Sequence, residues 1–241
     1  MKSGETSLGG AARSFPETVW EVVGPSARTG ERLDALVRAY WKPVYGYVRA
    51  VWRRSNEDGK DLVQAFFAWL LESGALAKYD PARGRFRPFL KSLLRHFVQH
   101  QDEALGRLKR GGGVALLPLD DGLARLDAQL ADPRYQDPEA AFDRAWRTSL
   151  LDAAQAAVRD RLMAAGKEAA WKAFEAYDLA DAEGRPTYRA LAERMNLKEK
   201  DVENHLVFVR EALRTEIREA LLRTSARRED LDDEWTEFLR S

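Results

Sequence analysis

Hydrophobic residues recur at spacings of three and four along most of the chain, which is the spacing of an amphipathic α-helix. Pro43 lies inside the first stripe and removes a backbone donor, so we expect a kink or a break near it. The first stripe predicts one long helix and consists of Leu33, Leu36, Val37, Tyr40, Trp41, Val44, Val48, Val51 and Trp52.

Two further stripes predict a second and a third helix, separated by the polar sequence YDPARGR at 79–85. The third stripe is followed by LKRGGG at 108–113, and three consecutive glycines destabilise a helix, so they mark a boundary. The second stripe consists of Leu62, Val63, Phe66, Phe67, Leu70 and Leu71, and the third of Phe86, Phe89, Leu90, Leu93, Leu94, Phe97 and Val98.

Beyond the glycines the chain becomes acidic and contains Pro118, Pro133 and Pro138, which predicts an extended linker. Helical patterning then resumes in segments near 139–165, 166–180, 187–195 and 199–223. The predicted fold class is all-α, with two helical domains joined by a flexible acidic linker. The predicted divisions are a disordered lead (1–14), a first helical domain (15–110), the linker (111–138), a second helical domain containing a helix-turn-helix (139–224) and an acidic tail (225–241).

The chain has no formal net charge, but its charges are unevenly distributed. Glu31–Arg110 contains 16 Lys and Arg against 9 Asp and Glu, whereas Gly111–Ala145 contains 3 against 7. The tail Ser225–Ser241 contains 3 against 6. A basic block next to acidic segments favours an anionic partner for the block, and an unevenly charged solvated surface is the alternative.

The amino-acid composition limits the cellular compartments and the kinds of site that are possible for this chain. The chain has no cysteine, which excludes disulfides and thiolate metal sites and fits a reducing interior. No apolar run reaches the roughly 18 residues that a membrane span needs, and the N-terminus lacks the apolar core of a signal peptide. We therefore expect a cytoplasmic protein without a membrane partner.

The segment 187–214 has the pattern of two helices joined by a tight turn. Thr187 can cap the first helix, and Asn196 tolerates the left-handed conformation needed just past its end. In a helix-turn-helix the second helix enters the major groove, and an ordinary helical hairpin is the alternative. The residues expected to contact duplex DNA are Lys198, Lys200, Asp201, Glu203, Asn204, His205 and Arg210.

The stretch ARGRFRPFLKSLLRHFVQHQ at 82–101 interleaves basic and aromatic residues. Its apolar stripe fits a helix packed on a core, while its opposite face carries cations and amides. Basic groups follow phosphates, and aromatic or amide groups contact unstacked bases. The candidates for nucleic-acid contact here and just beyond are Lys91, Arg95, His96, Gln99, Gln101, Arg107, Lys109 and Arg110.

Four segments, in this order, resemble motifs of extracytoplasmic-function (ECF) type RNA polymerase sigma factors of the sigma-70 superfamily. DLVQAFFAWLLE at 61–72 resembles the helix that packs on the polymerase clamp, and GRFRPFLKSLLRHFVQHQ at 84–101 resembles the stretch that opens the minus-ten element. PEAAFDRAW at 138–146 resembles the entry to the second conserved domain. YRALAERMNLKEKDVENHL at 188–206 resembles the helix-turn-helix for the minus-thirty-five element.

The resemblance covers roughly residues 17–224 and implies a sigma factor that binds core polymerase and directs promoter recognition, strand opening and initiation. It implies region 2-like and region 4-like domains, no catalytic residue and no cofactor. It implies clamp contacts from Asp61, Gln64, Ala65, Ala68 and Glu72. It implies minus-ten contacts from Lys91, Arg95, His96, Gln99, His100 and Gln101, with Arg107, Lys109 and Arg110 on phosphates.

The implied partners are the clamp and flap of core RNA polymerase and promoter DNA, both duplex and single-stranded. The sequence shows no separate sensor domain, so an anti-sigma factor or a Ser/Thr kinase is the expected kind of regulator. A helix-turn-helix regulator, or a sigma-like interaction module without promoter-opening activity, remains the alternative function.

An enzyme is the remaining class. His96, His100 and Glu103 fall on one helical face at metal-ligand spacing, but the HExxH, GxSxG and Walker patterns are missing, so we expect neither catalysis nor a metal. The tail leaves two interpretations open: an amphipathic segment that docks internally or on a regulator, or disordered decoration. The residues that would dock are Leu231, Trp235, Phe238 and Leu239.

Overall fold

The computed structural model describes residues 29–52, 56–108, 137–181, 183–224 and 230–240. Within these ranges the backbone forms α-helices and short 3₁₀ turns and no β-strand, which confirms the all-α class. None of the helices in the described ranges is long and apolar enough to cross a membrane. The helices are α1 (Thr29–Trp52), α2 (Asn56–Glu72), α3 (Phe86–Leu108), α4 (Pro138–Ala164), α5 (Glu168–Tyr177), α6 (Tyr188–Met195), α7 (Glu199–Thr224) and α8 (Asp230–Arg240).

The helices agree closely with the hydrophobic periodicity. One expectation was wrong in part: α1 runs without a break through Pro43, which lies buried near the middle of the helix. The polar connection between α2 and α3 forms two 3₁₀ turns, Ala75–Lys78 and Pro81–Arg83. The Tyr79 hydroxyl donates a hydrogen bond to the Gly84 carbonyl across this connection, at 3.1 Å.

The contacts between residues divide the described chain into two compact units. The first unit contains α1, α2, α3, the first half of α4 up to Leu150, and the C-terminal part from Leu221 that includes α8. The second unit contains residues 151–220, with the remainder of α4, α5, α6 and most of α7. The domain boundaries expected from the sequence stay predictions, and nearly all of the expected linker lies outside the described residues.

Aromatic side chains form the core of the first unit. The Tyr40 ring lies edge-on to Phe86, with centroids 5.6 Å apart, and stacks on Phe142 of α4 at 6.4 Å. Phe66 of α2 meets Phe97 of α3 edge to face at 5.3 Å. Because these rings come from four helices, the first half of α4 shares one hydrophobic core with α1, α2 and α3.

A close backbone approach joins α1 to α4. A Cβ placed on Gly46 would lie 3.1 Å from the carbonyl oxygen of Ala141 and 3.4 Å from the Ala145 methyl. Only a residue without a side chain fits there without moving α4. This contact holds the acidic first turns of α4 within the first unit.

The second unit has its own core, to which Val158, Trp171, Phe174, Leu191 and Leu206 contribute. These side chains come from α4, α5, α6 and α7, so each helix of the unit contributes an apolar face. Their spacing follows the predicted stripes, and the four predicted helical segments from 139 onward correspond to α4, α5, α6 and α7.

Candidate nucleic-acid and polymerase interfaces

The outward face of α2 carries the residues predicted to contact the polymerase clamp. Opposite it, Leu62, Val63, Phe66, Phe67 and Leu70 are buried, which fixes the orientation of the helix. The predicted clamp set forms the other face: Asp61 and Glu72 are exposed, and Gln64, Ala65 and Ala68 are partly exposed. The structure therefore presents two small residues between two carboxylates that lie about 16 Å apart along the helix axis.

Helix α3 carries a cationic stripe, because Arg87, Lys91 and Arg95 follow one another at intervals of four residues. The Lys91 ammonium lies 2.9 Å from a carboxylate oxygen of Asp143 and 3.8 Å from Glu139. Arg95 forms an ion pair with Glu139, and this hydrogen bond raises the pKa of Arg95. Two residues predicted to contact DNA are thus bound to carboxylates of α4.

A second acidic element meets the other end of the same stripe. The Arg87 guanidinium lies 2.8 Å from Glu234 and 2.6 Å from Glu237, both on α8. Arg85 contacts the same two carboxylates, at 3.0 and 2.8 Å. Arg87 also lies over the indole ring of Trp146, with 4.0 Å between the guanidinium carbon and the ring centroid. Its side chain is 3% exposed, so this ion pair is desolvated.

The pKa values in this cluster follow the balance of burial and charge. Burial raises the pKa of Glu234 against the opposing attraction of Arg87 and Arg85. Burial also acts to raise the pKa of Glu237, but attraction by Arg87 and a hydrogen bond from Arg85 outweigh it, so that pKa is lowered. Burial acts to lower the pKa of Arg85, yet Glu234 and Glu237 together raise it. Glu237 is therefore the carboxylate whose ionised form the folded chain favours.

The exposed part of the α3 surface is aromatic and amide in character. His96, Gln99 and His100 are exposed, as the sequence predicts. The His96 ring stacks on Trp69 of α2, with centroids 6.0 Å apart and planes at 28°, and the His100 ring lies 4.5 Å from that of His96. The side chains of Gln101 and Arg107, and all of Lys109 and Arg110, lie outside the described residues, so their predicted contacts stay predictions.

Sequence reasoning missed Trp69 and the buried Arg87 as parts of these surfaces. Trp69 belongs to the second helix but lies outside the apolar stripe of that helix, so the periodicity predicts neither a core position nor a surface role for it. The regular spacing of Arg87, Lys91 and Arg95 on α3, and of Glu139 and Asp143 on α4, was the available signal. Intervals of four residues on both helices allow a ladder of ion pairs when the helices lie side by side.

In the second unit, a tight turn joins α6 to α7. The Thr187 side chain accepts a hydrogen bond from the Ala190 amide at 3.2 Å, and Asn196 adopts a left-handed backbone with φ of 54°. The Leu197 amide then donates to the Ala192 carbonyl at 2.9 Å, which closes the end of α6. The predicted cap and the predicted turn residue are thus confirmed.

The residues predicted to contact duplex DNA begin at Lys198, just before α7, and continue along the helix to Arg210, about three turns from its start. Lys198, Glu203 and Asn204 are exposed, and Asp201 and His205 are partly exposed. Lys200 forms an ion pair with Glu203 at 2.8 Å. Arg210 donates two hydrogen bonds of 2.9 Å to the Asp178 carboxylate, and these bonds raise its pKa.

Two exposed apolar side chains complete the α7 surface. Val207 is 52% and Phe208 is 42% exposed. The Lys167 ammonium lies over the Phe208 ring, 4.5 Å from its centroid. This part of α7 therefore offers an apolar patch with few free cations, which suits protein contact better than phosphate contact.

The described side chains contain no group of three or more residues placed to hold a metal ion. His96 and His100 lie together, whereas the side chain of Glu103 is outside the described residues. No protein-family model, no curated protein and no solved structure matches this chain. The resemblance to sigma factors therefore rests on the motifs quoted from the sequence.

Proposed function

We propose that this chain is a sigma factor of the extracytoplasmic-function type, which binds core RNA polymerase and directs promoter recognition, minus-ten strand opening and initiation. The observation that carries this proposal is the adjacency of two different surfaces on one core. The outward face of α2 suits a protein partner, and the rings at the exposed part of α3 suit unpaired bases.

The α2 surface has the properties of a helix that docks on another protein. Alanine side chains at 65 and 68 let a partner approach the backbone closely, while Asp61 and Glu72 supply a negative charge at each end. Such a face favours a partner whose cations have a matching spacing. Complementary charges on two surfaces orient the partners and raise the rate at which they associate. We assign this face to the clamp of the polymerase.

The cluster of Trp69, His96 and His100 supplies flat rings at the surface where α2 meets α3. Stacking on an aromatic side chain contributes about 1–3 kcal/mol per base and does not depend on which base is present. Gln99 lies next to these rings and can donate to or accept from a base edge. In the proposed function this cluster holds bases of the opened minus-ten element.

Helices α6 and α7 would act as the helix-turn-helix that reads the minus-thirty-five element. The ion pairs of Lys200 with Glu203 and of Arg210 with Asp178 reduce the cationic character of this surface. We therefore assign duplex contact mainly to Lys198, and to Asn204 and His205 at base edges.

The sharpest test of the polymerase assignment is charge reversal on α2. Asp61→Lys is compared with Asp152→Lys, which makes the same change at an exposed position of α4 in the second unit. Affinity for purified core polymerase is measured by anisotropy of the labelled chain. We expect Asp61→Lys to weaken binding at least about tenfold, or 1.4 kcal/mol, and Asp152→Lys to leave it unchanged. Equal affinity of both variants would contradict the clamp assignment.

The pairing of α3 cations with carboxylates favours one alternative, a sigma-like interaction module that binds a partner without opening promoters. Permanganate footprinting of a promoter bound to the complex separates the two. A sigma factor produces reactive thymines in the minus-ten element, whereas an interaction module binds core polymerase and leaves the duplex unreactive. A cytoplasmic location and control by an anti-sigma factor or a kinase belong to the same proposal.

A further inference from the structure

We propose that helix α8 is an internal competitor of nucleic acid, which covers the cationic N-terminal end of α3 and must leave before DNA phosphates can reach it. This inference rests on the nucleic-acid role proposed for α3. In this proposal the acidic tail forms a helix whose carboxylates occupy the surface where a polyanion would bind.

The contacts show why α8 fits this surface. Glu234 and Glu237 are three residues apart, so both carboxylates lie on one face of α8. They contact Arg85 and Arg87 through four N–O distances between 2.6 and 3.0 Å. Guanidinium groups bind carboxylates and phosphates with the same planar donor geometry, so the two kinds of anion compete for one site.

The charges on this face are balanced one for one. Arg85 and Arg87 are neutralised by α8, with a further contact of 3.3 Å from Arg87 to Asp143 of α4, and Lys91 and Arg95 are neutralised by Asp143 and Glu139. Phosphate binding gains little from a cation that already holds a carboxylate. A strand can therefore bind this end of α3 only if one of the acidic helices gives way.

Helix α8 is held far more weakly than α4. Among the described residues of α8, Phe238 is the one apolar side chain that is buried, and its ring lies 6.5 Å from that of Trp146. Trp235 is partly exposed and Leu239 is 65% exposed. Helix α4, by contrast, places Phe142 and Trp146 in the core.

The order of α8 thus depends on its docking. A helix of 11 residues is marginal in water by itself. Its ion pairs are partly exposed at Glu237, where the side chain is 37% accessible, so salt and competing anions weaken them. Helix α8 is therefore the element that a polyanion displaces.

The test compares two double substitutions in the full chain. Glu234→Gln with Glu237→Gln removes the carboxylates that contact α3 and keeps their shape. Asp232→Asn with Asp233→Asn removes two exposed carboxylates of the same helix, so the net charge changes equally. Because the chain has no cysteine, Thr236→Cys places a single spin label on the exposed side of α8 and reports its mobility.

Binding of a fluorescein-labelled single-stranded DNA oligonucleotide is measured by anisotropy. We expect the Glu234/Glu237 variant to bind about tenfold more tightly than the Asp232/Asp233 variant, because the binding-competent population rises. Adding Arg85→Ala to the Glu234/Glu237 variant should remove this gain. In the chain with only the label, saturating oligonucleotide should convert the immobile spectrum of α8 to a mobile one.

Every alternative outcome contradicts the proposal, and each one identifies a different step of it as wrong. Equal DNA affinity of the two double variants, or an α8 label that stays immobile at saturating oligonucleotide, shows that α8 does not compete. Loss of α8 order in the Glu234/Glu237 variant without DNA binding by any variant overturns the nucleic-acid role of α3 as well. DNA binding that Arg85→Ala leaves unchanged places the binding surface elsewhere.

Discussion

Replacement of Gly46 by alanine tests the packing of α1 against α4, on which the whole arrangement of the first unit depends. In an unobstructed helix, Gly→Ala gains about 1 kcal/mol of helix propensity. Here the new methyl would lie 3.1 Å from the Ala141 carbonyl oxygen, and that oxygen belongs to helical backbone that cannot swing aside. Overpacking of this kind costs about 1–3 kcal/mol, so we expect the gain in helix propensity to be cancelled and the chain to lose up to about 2 kcal/mol.

Urea denaturation measures the loss, and hydrogen exchange of the α4 amides near Ala141 shows whether it originates there. Gly184→Ala is the control, since the nearest atom to its new Cβ, the Asp181 carbonyl oxygen, is 3.8 Å away and the backbone is unstrained. We expect the control to be neutral or slightly stabilising, by less than about 1 kcal/mol. If Gly46→Ala is more stable than the parent chain by the full ~1 kcal/mol of an unobstructed helix, the close approach of α1 and α4 is incorrect.

Substitutions at three further positions test the second unit and the core. Asp178→Asn should lower the stability by about 1 kcal/mol, because it removes the paired hydrogen bonds to Arg210, and an unchanged urea midpoint would count against that ion pair. Asn196→Ala should cost about 1 kcal/mol in thermal unfolding and Asn196→Gly much less, since the position has φ of 54°; equal effects would contradict the left-handed turn. Burial raises the pKa of Tyr40, so the unfolded chain ionises first and stability falls as the pH rises through about 10. Tyr40→Phe should reduce that decline in a pH series of urea midpoints, and identical profiles would show that Tyr40 is not buried.

Local chemistry made much of the fold predictable. Helix positions followed from apolar spacing, because a helix buries every third or fourth residue. The turn between α6 and α7 followed from Thr187 and Asn196, whose side-chain and backbone preferences act within a few residues. Pro43 was misjudged, because the buried packing of α1 on both sides of it outweighs the loss of one backbone hydrogen bond.

The partners of the cationic stripe could not be predicted in the same way. Lys91 and Arg95 have the spacing of a nucleic-acid surface, but their carboxylate partners lie 52 and 44 residues away along the chain. The partner of Arg87 on α8 is 147 residues away. The spacing of the charges shows that such a ladder of ion pairs is possible, but which helices lie side by side depends on tertiary packing, which charge pattern and periodicity do not specify.

The structure of the C-terminal tail could not be predicted from the sequence for the same reason. Its apolar residues fitted a docked amphipathic helix and a disordered extension equally well. The contact of Phe238 with Trp146, and the two carboxylates that meet Arg87, decide for a docked helix. None of these contacts is local in sequence.

The most direct measurement is in vitro transcription from a genomic DNA library with purified core RNA polymerase, with and without this chain. If the chain is a sigma factor, discrete transcription start sites appear only when it is present, and they share a common upstream sequence. If the chain binds core polymerase and yields no start site above the background of core alone, it is not a promoter-specificity factor.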